Sequence, residues 1–422
     1  MKDGAATVDP CFISGGLTPQ EALALVLEDV APVAGTETLR LAEMAGRVVS
    51  TPIRAPRALP PFDHSAMDGY ALALPASGRS WGGFRIVGTV VAGRPMRGEI
   101  AAGEAVRIFT GAAFPLGCDA VVMQEHVDLR DGAVFPRREV RAGDNVRLAG
   151  EDVAPDEILL REGTLVDARH LALLAASGIV EGKVARRVRV TVISTGTELR
   201  ALGENLSEGA IYDSNRVMLL ELLRHPGVDL VDGGIVPDEP SSTASAIAEA
   251  AVTSDLVITS GGVSVGEQDF VRRSVEASGG SLRPLKMGIK PGKPLAFGRL
   301  GKAVILGLPG NPLAALVGFL LVGRHLVARL AGATPIVRHP LYAVAGFDRN
   351  ASPGRFEYAP AAVVGMDAFG RPVVDTLGRG GSARLLPLTR SDGFCVVPPG
   401  VQGVAKGDMV EFVPMATVRV FA

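Results

Sequence analysis

Three short segments carry glycine, hydroxyl and proline residues where an apolar run ends: STGTELR at 194–200, TSGGVSVGEQDF at 259–270 and GLPGNP at 307–312. Thr195, Gly196, Ser260, Gly261 and Gly262 offer backbone N–H groups of the kind that cradle an anion. Pro309, Gly310, Asn311 and Pro312 open a helix, with Asn311 placed to cap it and Pro312 at its first position, so a positive helix end would face the same rim. The double glycine lacks the GK[ST] continuation of a P-loop, which argues against an NTPase. Each segment alone is also what a plain tight turn looks like. The stretch LKMGIKPGKPLAFG places Lys286, Lys290 and Lys293 close together, and Pro291 and Pro294 keep it out of a helix. Carboxylates stand beside these loops: Glu198, Asp238, Glu267 and Asp269. Acids next to an anion cradle are reasonable if a hard divalent cation bridges them to a phosphate. The glycines would then face phosphate, with Mg²⁺ as the bridging ion, and Asp269 would serve the metal or the leaving group. Asp63 and His64 are adjacent, which does not favour a catalytic dyad, and the six histidines show no metal-ligand spacing.

These residues need a scaffold. Runs of strand type (VRVTVIS, VDLVDGGIV, DLVITS, AVILGL) alternate with helical patterns (DSNRVMLLELLR, SSTASAIAEAAVTS) between 187 and 333, which predicts an α/β domain with a parallel-type sheet. In open sheets of that kind ligands sit beyond the carboxyl ends of strands, where all three segments fall. Residues 12–54 and 157–186 read as a helical frame. TPQEALALVLEDV is capped by Thr18, Pro19 and Glu21, LRLAEMAGRVV reads as a second helix, and Asp167 and Gly178 bound a third. Residues 55–156 read as an inserted β domain with a hairpin turn at Asp131–Gly132, and 334–422 as a C-terminal β domain.

The totals limit the alternatives. With 422 residues, several domains are expected. A formal charge of −2 without a basic run argues against nucleic acid or an anionic membrane as the main partner. Cys11, Cys118 and Cys395 are too few and too scattered for a disulfide framework or a thiolate zinc site, and MKDGAATVDP has no apolar core for secretion, so a cytoplasmic location is expected. LAALVGFLLVG, broken by Arg324, is too short to span a bilayer and is expected to be a buried helix.

Taken in order, FDHSAMDGYAL, RIFTGAAFPLGCDAVVMQE, AGEDV, STGTEL, YDSNR, TSGGVSVGEQDF, IKPGKPLAFG and LPGNP resemble the molybdopterin molybdenumtransferase family, the MoeA proteins and gephyrin E domains, from about residue 12 to 422. The resemblance implies the same four-part organisation, an elongated homodimer, and an activity that joins molybdate to the dithiolene of adenylylated molybdopterin and releases AMP with a divalent cation. It implies catalytic roles for Asp269, Asp238, Glu198, Lys286 and Lys290, with Asp269 and Asp238 as ligands of Mg²⁺, and substrate contacts from Lys293, Pro309, Pro312 and the loops above. Asp63, Thr110 and Asp152 would be lent by the partner subunit. The chain departs from the family pattern at Thr197, His64 and, in the C-terminal domain, at Pro360, Leu386 and Pro387, near positions that help hold molybdate; Arg355, Ser382, Arg384 and Arg390 are candidate replacements. An alternative role, suggested by these departures, is a carrier that holds molybdopterin or finished cofactor without inserting metal. A receptor-organising scaffold is a third reading, for which the chain shows no accompanying linker or module.

Overall fold

A computed structural model describes residues 16–76, 82–262, 270–292, 294–335, 339–350, 352, 354–378 and 381–421. The central domain is a six-stranded sheet in the order Val228–Val236, Val188–Thr195, Leu256–Ser260, Ala303–Leu308, Pro294–Leu300, Ser281–Lys286. The first four strands are parallel. The last two run antiparallel, so the sheet is mixed where the sequence predicted a parallel type. Alternate side chains feed opposite faces. Val190, Val192 and Ile258 join a core with the helices Pro19–Glu28, Asn215–Leu223 and Pro312–Gly318, while Ile193, Val257 and Ile305 join one with Pro240–Thr253 and Phe270–Ala277. Helices thus cover both faces, which accounts for the nearly unbroken apolar runs of these strands.

The apolar stretch at 313–323 lies within a helix that runs from Pro312 to Leu330, with a π-helical turn at Phe319–Gly323. It passes a length-and-composition test for crossing a membrane, yet 72% of the tested window is buried against this protein's own core. The expectation of a core helix is met.

The frame is less helical than its sequence suggests. Thr18 and Glu21 form a reciprocal capping box at the first helix, and the Asp167 carboxylate accepts hydrogen bonds from the Arg169 and His170 N–H groups at the helix Ala168–Ala176. The segment read as the remaining helix is instead the strand Thr36–Arg40 followed by a single 3₁₀ turn at Leu41–Glu43. That strand pairs with Glu181–Ala185, and Gly46 adopts φ +70°, so tertiary pairing overrides a helical pattern of apolar residues.

The inserted domain is a six-stranded sheet, and both residues of its Asp131–Gly132 turn have positive φ, as a two-residue hairpin with right-handed twist requires. In the C-terminal domain the strands Phe356–Met366, Pro372–Thr376, Leu341–Ala345, Met409–Pro414 and Gly393–Val397 pair in sequence, and the last also pairs with the first, closing a small barrel. Cys395 is fully buried in its core, which pushes its thiol up to about 12 and leaves it inert at neutral pH. A two-residue strand of the central domain, Ile289–Lys290, adds onto this barrel beside Phe356–Glu357.

Candidate functional site

The strand Val188–Thr195 has Val228–Val236 on one side and Leu256–Ser260 on the other, so the chain order reverses there. A reversal of this kind opens a crevice at the carboxyl ends of the strands. A cleft of about 560 Å³ lies there. It is lined by residues from all four parallel strand ends: Ser194, Thr195 and Glu198; Asp238; Ser260, Gly261 and Gly262; Pro309, Gly310, Asn311 and Pro312. The sequence pointed to three of those ends as anion loops. The fourth, leading into Asp238, completes the ring.

The strand-end loops are joined by a residue the sequence reading did not place in the site. Asn215 is buried, and its Nδ2 donates to Ser260 Oγ at 2.9 Å and to the Gly310 carbonyl at 2.8 Å. Tyr212, Asp213 and Ser214 precede it on the wall, so the segment YDSN forms one side of the cleft. Asp213 is itself held by Arg216 at 3.0 Å. Only membership of a recurring motif marked this segment in the sequence; nothing in its local pattern did. Ala383 and Leu385 of the C-terminal domain close the opposite side, and the Ser382 carbonyl accepts from the Leu313 N–H at 3.0 Å, tying that lobe to the start of the cleft's helix.

Several expectations need correction. The Gly196 N–H donates to the Val236 carbonyl and the Gly261 N–H to the Leu308 carbonyl, so these two amides hold neighbouring strand ends together and are not offered to an anion. Gly261 is nonetheless obligatory: at φ +95°, an added Cβ would meet the Thr195 carbonyl oxygen at 2.3 Å. Gly196 lies behind the loop, where an added Cβ would sit 2.7 Å from Glu198 Oε2, so the Glu198 carboxylate folds back over it. Asn311 occupies the N-cap position but its side chain makes no capping bond. Lys286 and Lys290 do not line the cleft; Lys290 is paired with Glu357 at 3.2 Å, four residues before Pro294, which does line it. Asp269, Glu267 and Lys293 lie outside the described residues.

Asp63, Thr110 and Asp152 are exposed on the inserted domain and contribute nothing to this cleft. Two of them have local partners. Asp63 Oδ1 accepts from the Ala149 N–H at 2.7 Å, and Asp68 accepts from both the N–H and the hydroxyl of Thr110, which holds its carboxyl below the usual range. His64 is not paired with Asp63; its ring nitrogen lies 3.4 Å from the Phe62 carbonyl.

The electrostatics of the cleft are those of a site short of partners. Buried side-chain atoms that find no hydrogen bond among the described residues include Ser194 Oγ, Thr195 Oγ1, Asn215 Oδ1 and Asp238 Oδ1, all in residues that line this cleft. Such atoms are costly unless a ligand completes them. Burial raises the Asp238 carboxyl above its ordinary value, and the charge of Glu198 raises it further. An Asp238 carboxyl crowded by the charge of Glu198, with one oxygen unbonded among the described residues, suits a divalent cation, although no group of three or more metal-ligating side chains converges among the described residues.

Comparison with known proteins covers nearly the whole chain. Residues 17–178 match the family described as the MoeA N-terminal region (domain I and II), residues 191–329 the probable molybdopterin binding domain, and residues 342–415 the MoeA C-terminal region (domain IV). A molybdopterin molybdenumtransferase of Haemophilus influenzae is 38% identical over 94% of this chain and 98% of its own length. One from Bacillus subtilis is 31% identical over 89% of each chain. The crystal structure of a molybdopterin biosynthesis MoeA protein from Pyrococcus horikoshii superposes with a TM-score of 0.78 at 27% identity, covering 94% of this chain and 100% of that one.

Proposed function

The chain belongs to the molybdopterin molybdenumtransferase (MoeA) family, a family of transferases in molybdenum cofactor biosynthesis, and from that premise we propose that it inserts molybdenum by joining molybdate to the dithiolene of adenylylated molybdopterin, with release of AMP. The observation that carries this reading is the concentration, in the lining of one cleft, of buried polar atoms without a partner among the described residues, at Thr195, Asn215 and Asp238. A pterin presents amide-like donors and acceptors around a flat ring, which a wall of hydroxyl and carboxamide groups can satisfy. Gly262 and the helix start at Asn311–Pro312 stand at the rim where a phosphate would follow.

Asp238 and Glu198 would hold the divalent cation, with Asp269 as the further ligand in this reading, and the ion would supply charge neutralisation at the pyrophosphate. The chain's own residues do the rest. Asn215 keeps the two phosphate-side loops in register. Thr197 Oγ1 accepts from the Asp238 N–H at 3.3 Å and fixes the carboxylate's backbone. Ala383 and Leu385 exclude water on the C-terminal side. Lys286 and Lys290, which stand outside the lining of the cleft, would meet the anions at its rim, and Lys293 is the third cation of this reading.

We assign Asp63, Thr110 and Asp152 to the cleft of a second subunit in a homodimer. Their exposure and their absence from the cleft of their own chain support that assignment. Light scattering at micromolar concentration should give twice the 43.7 kDa chain mass; a mass of one chain would remove those three residues from the mechanism.

The carrier reading rests on one feature: the C-terminal lobe presents Ala383 and Leu385 to the cleft, and Leu386 is 60% exposed with no polar group to offer. A single titration separates the two. AMP release is measured against molybdate concentration. Saturable release at low molybdate establishes the insertase, release only at high molybdate places the weakness in the C-terminal contacts, and pterin binding without release at any concentration establishes the carrier.

A further inference from the structure

One buried charge cluster lies outside the cleft, at the seam between the central sheet and the C-terminal barrel. Glu357 sits in the strand Phe356–Met366 with its side chain 5% exposed. Its Oε1 accepts from two cations at once: Arg349 Nη2 at 2.6 Å and Lys290 Nζ at 3.2 Å. Ser352 Oγ bridges the group, accepting from Lys290 Nζ at 3.0 Å and donating to Glu357 Oε2 at 3.2 Å. The two cations differ in freedom. Arg349 is 20% exposed; Lys290 is 46% exposed and lies in the strand pair that joins the two domains.

We infer that Glu357 is a positioning residue that parks Lys290 beside the cleft, and that Arg349 is what allows Lys290 to leave when an anionic substrate group arrives. A buried carboxylate stripped of its only cation is strongly unfavourable. Here Arg349 alone keeps Glu357 compensated, so Lys290 can exchange an ion pair with Glu357 for one with an incoming oxyanion at little cost. The exposed stem of Lys290 and its nearness in sequence to Pro294 make it the member that moves. No bond is made or broken in this exchange; one ammonium changes its carboxylate partner for a phosphate or molybdate oxygen. The inference rests on the proposed function, since it takes the cleft's ligand to be an oxyanion.

The test uses the full chain with adenylylated molybdopterin and molybdate, following AMP release. Half-saturation is measured separately for each substrate, so that the one that moves names the anion Lys290 meets. Arg349→Gln leaves Glu357 dependent on Lys290 and should raise that half-saturating concentration tenfold or more with little change in kcat. Glu357→Gln should act with the opposite sign, lowering half-saturation about threefold while kcat falls, because Lys290 is freed but no longer aimed. The double variant should return half-saturation to within about threefold of wild type. If Arg349→Gln fails to fold, Glu357→Gln alone decides, since a residue with only a structural role has no reason to tighten substrate binding. Unchanged or raised half-saturation in Glu357→Gln, or parallel losses of melting temperature and turnover in all three variants without rescue in the double, overturns the inference and leaves the insertase reading standing. Wild-type protein that releases no AMP would instead overturn the functional reading, and this inference with it.

Discussion

Replacing Asn215 with alanine separates the part of the cleft that holds the fold from the part that holds the ligand. The substitution removes two hydrogen bonds, to Ser260 Oγ at 2.9 Å and to the Gly310 carbonyl at 2.8 Å. Neutral bonds of this kind contribute about 0.5–1.5 kcal/mol each, so the loss is about 1–3 kcal/mol. Gly310 is exposed and its carbonyl can turn to water, while Ser260 Oγ retains the Pro309 carbonyl at 3.5 Å, so neither acceptor incurs a full desolvation penalty. Against this, the variant also deletes Asn215 Oδ1, a buried acceptor with no partner among the described residues, whose presence costs about 1–3 kcal/mol. The two effects offset to within about 2 kcal/mol, a shift in melting temperature of roughly 4–8 °C or less. Binding has no such compensation. If a ligand donor completes Oδ1, its removal costs about 1–1.5 kcal/mol, close to tenfold in Kd, and looser loops add to that. Thermal melts in the absence of ligand and fluorescence titration with molybdopterin measure the two quantities independently. A fall in Tm beyond about 10 °C with unchanged Kd would show that Asn215 is a structural clip that does not face the ligand.

Three further outcomes follow from the same geometry. Because burial and Glu198 raise the folded-state pKa of Asp238 above its unfolded value, its charge opposes folding at neutral pH and the strain is relieved as pH falls through the raised pKa; Asp238→Asn should therefore melt at or above the wild-type temperature at pH 7 while raising the divalent-cation concentration that turnover requires. Glu357 behaves oppositely: burial pushes its pKa up, but Arg349 and then Lys290 more than offset this and hold it below 4.5, so the stability it lends is present above that pH and lost on acidification, and the acid limb of a Tm–pH profile should flatten in Glu357→Gln. Gly261→Ala places a Cβ 2.3 Å from the Thr195 carbonyl oxygen at φ +95° and should cost several kcal/mol, read as lost soluble yield; Gly103→Ala, at φ +84° with nothing within 4 Å, carries only the conformational term of about 1 kcal/mol and serves as the control.

What could be read in the chain alone was what is decided within a few residues. Thr18, Pro19 and Glu21 announce a helix start because the bonds of a capping box span three positions. Asp131–Gly132 announces a hairpin because both residues tolerate positive φ, and Asp167 and Gly178 bound their helix for equally local reasons. The α/β alternation gave the sheet, and the sheet gave the rim on which Thr195, Ser260 and Asn311 meet. Tertiary structure decided everything that depends on a distant partner. LRLAEMAGRVV has the apolar spacing of a helix, but its first residues belong to a strand because Glu181–Ala185 supplies the ladder. The amides of Gly196 and Gly261 look free in sequence and are spent on Val236 and Leu308. Asn215 is an ordinary helix residue until Ser260 and Gly310 are brought to either side of it. Lys290, one of three similar lysines in its loop, is singled out only by Glu357 of the barrel. Caps and turns are fixed by contacts between near neighbours, whereas a cleft and its charges are made by segments that only folding brings together, so their chemistry is set by neighbours that no local pattern records.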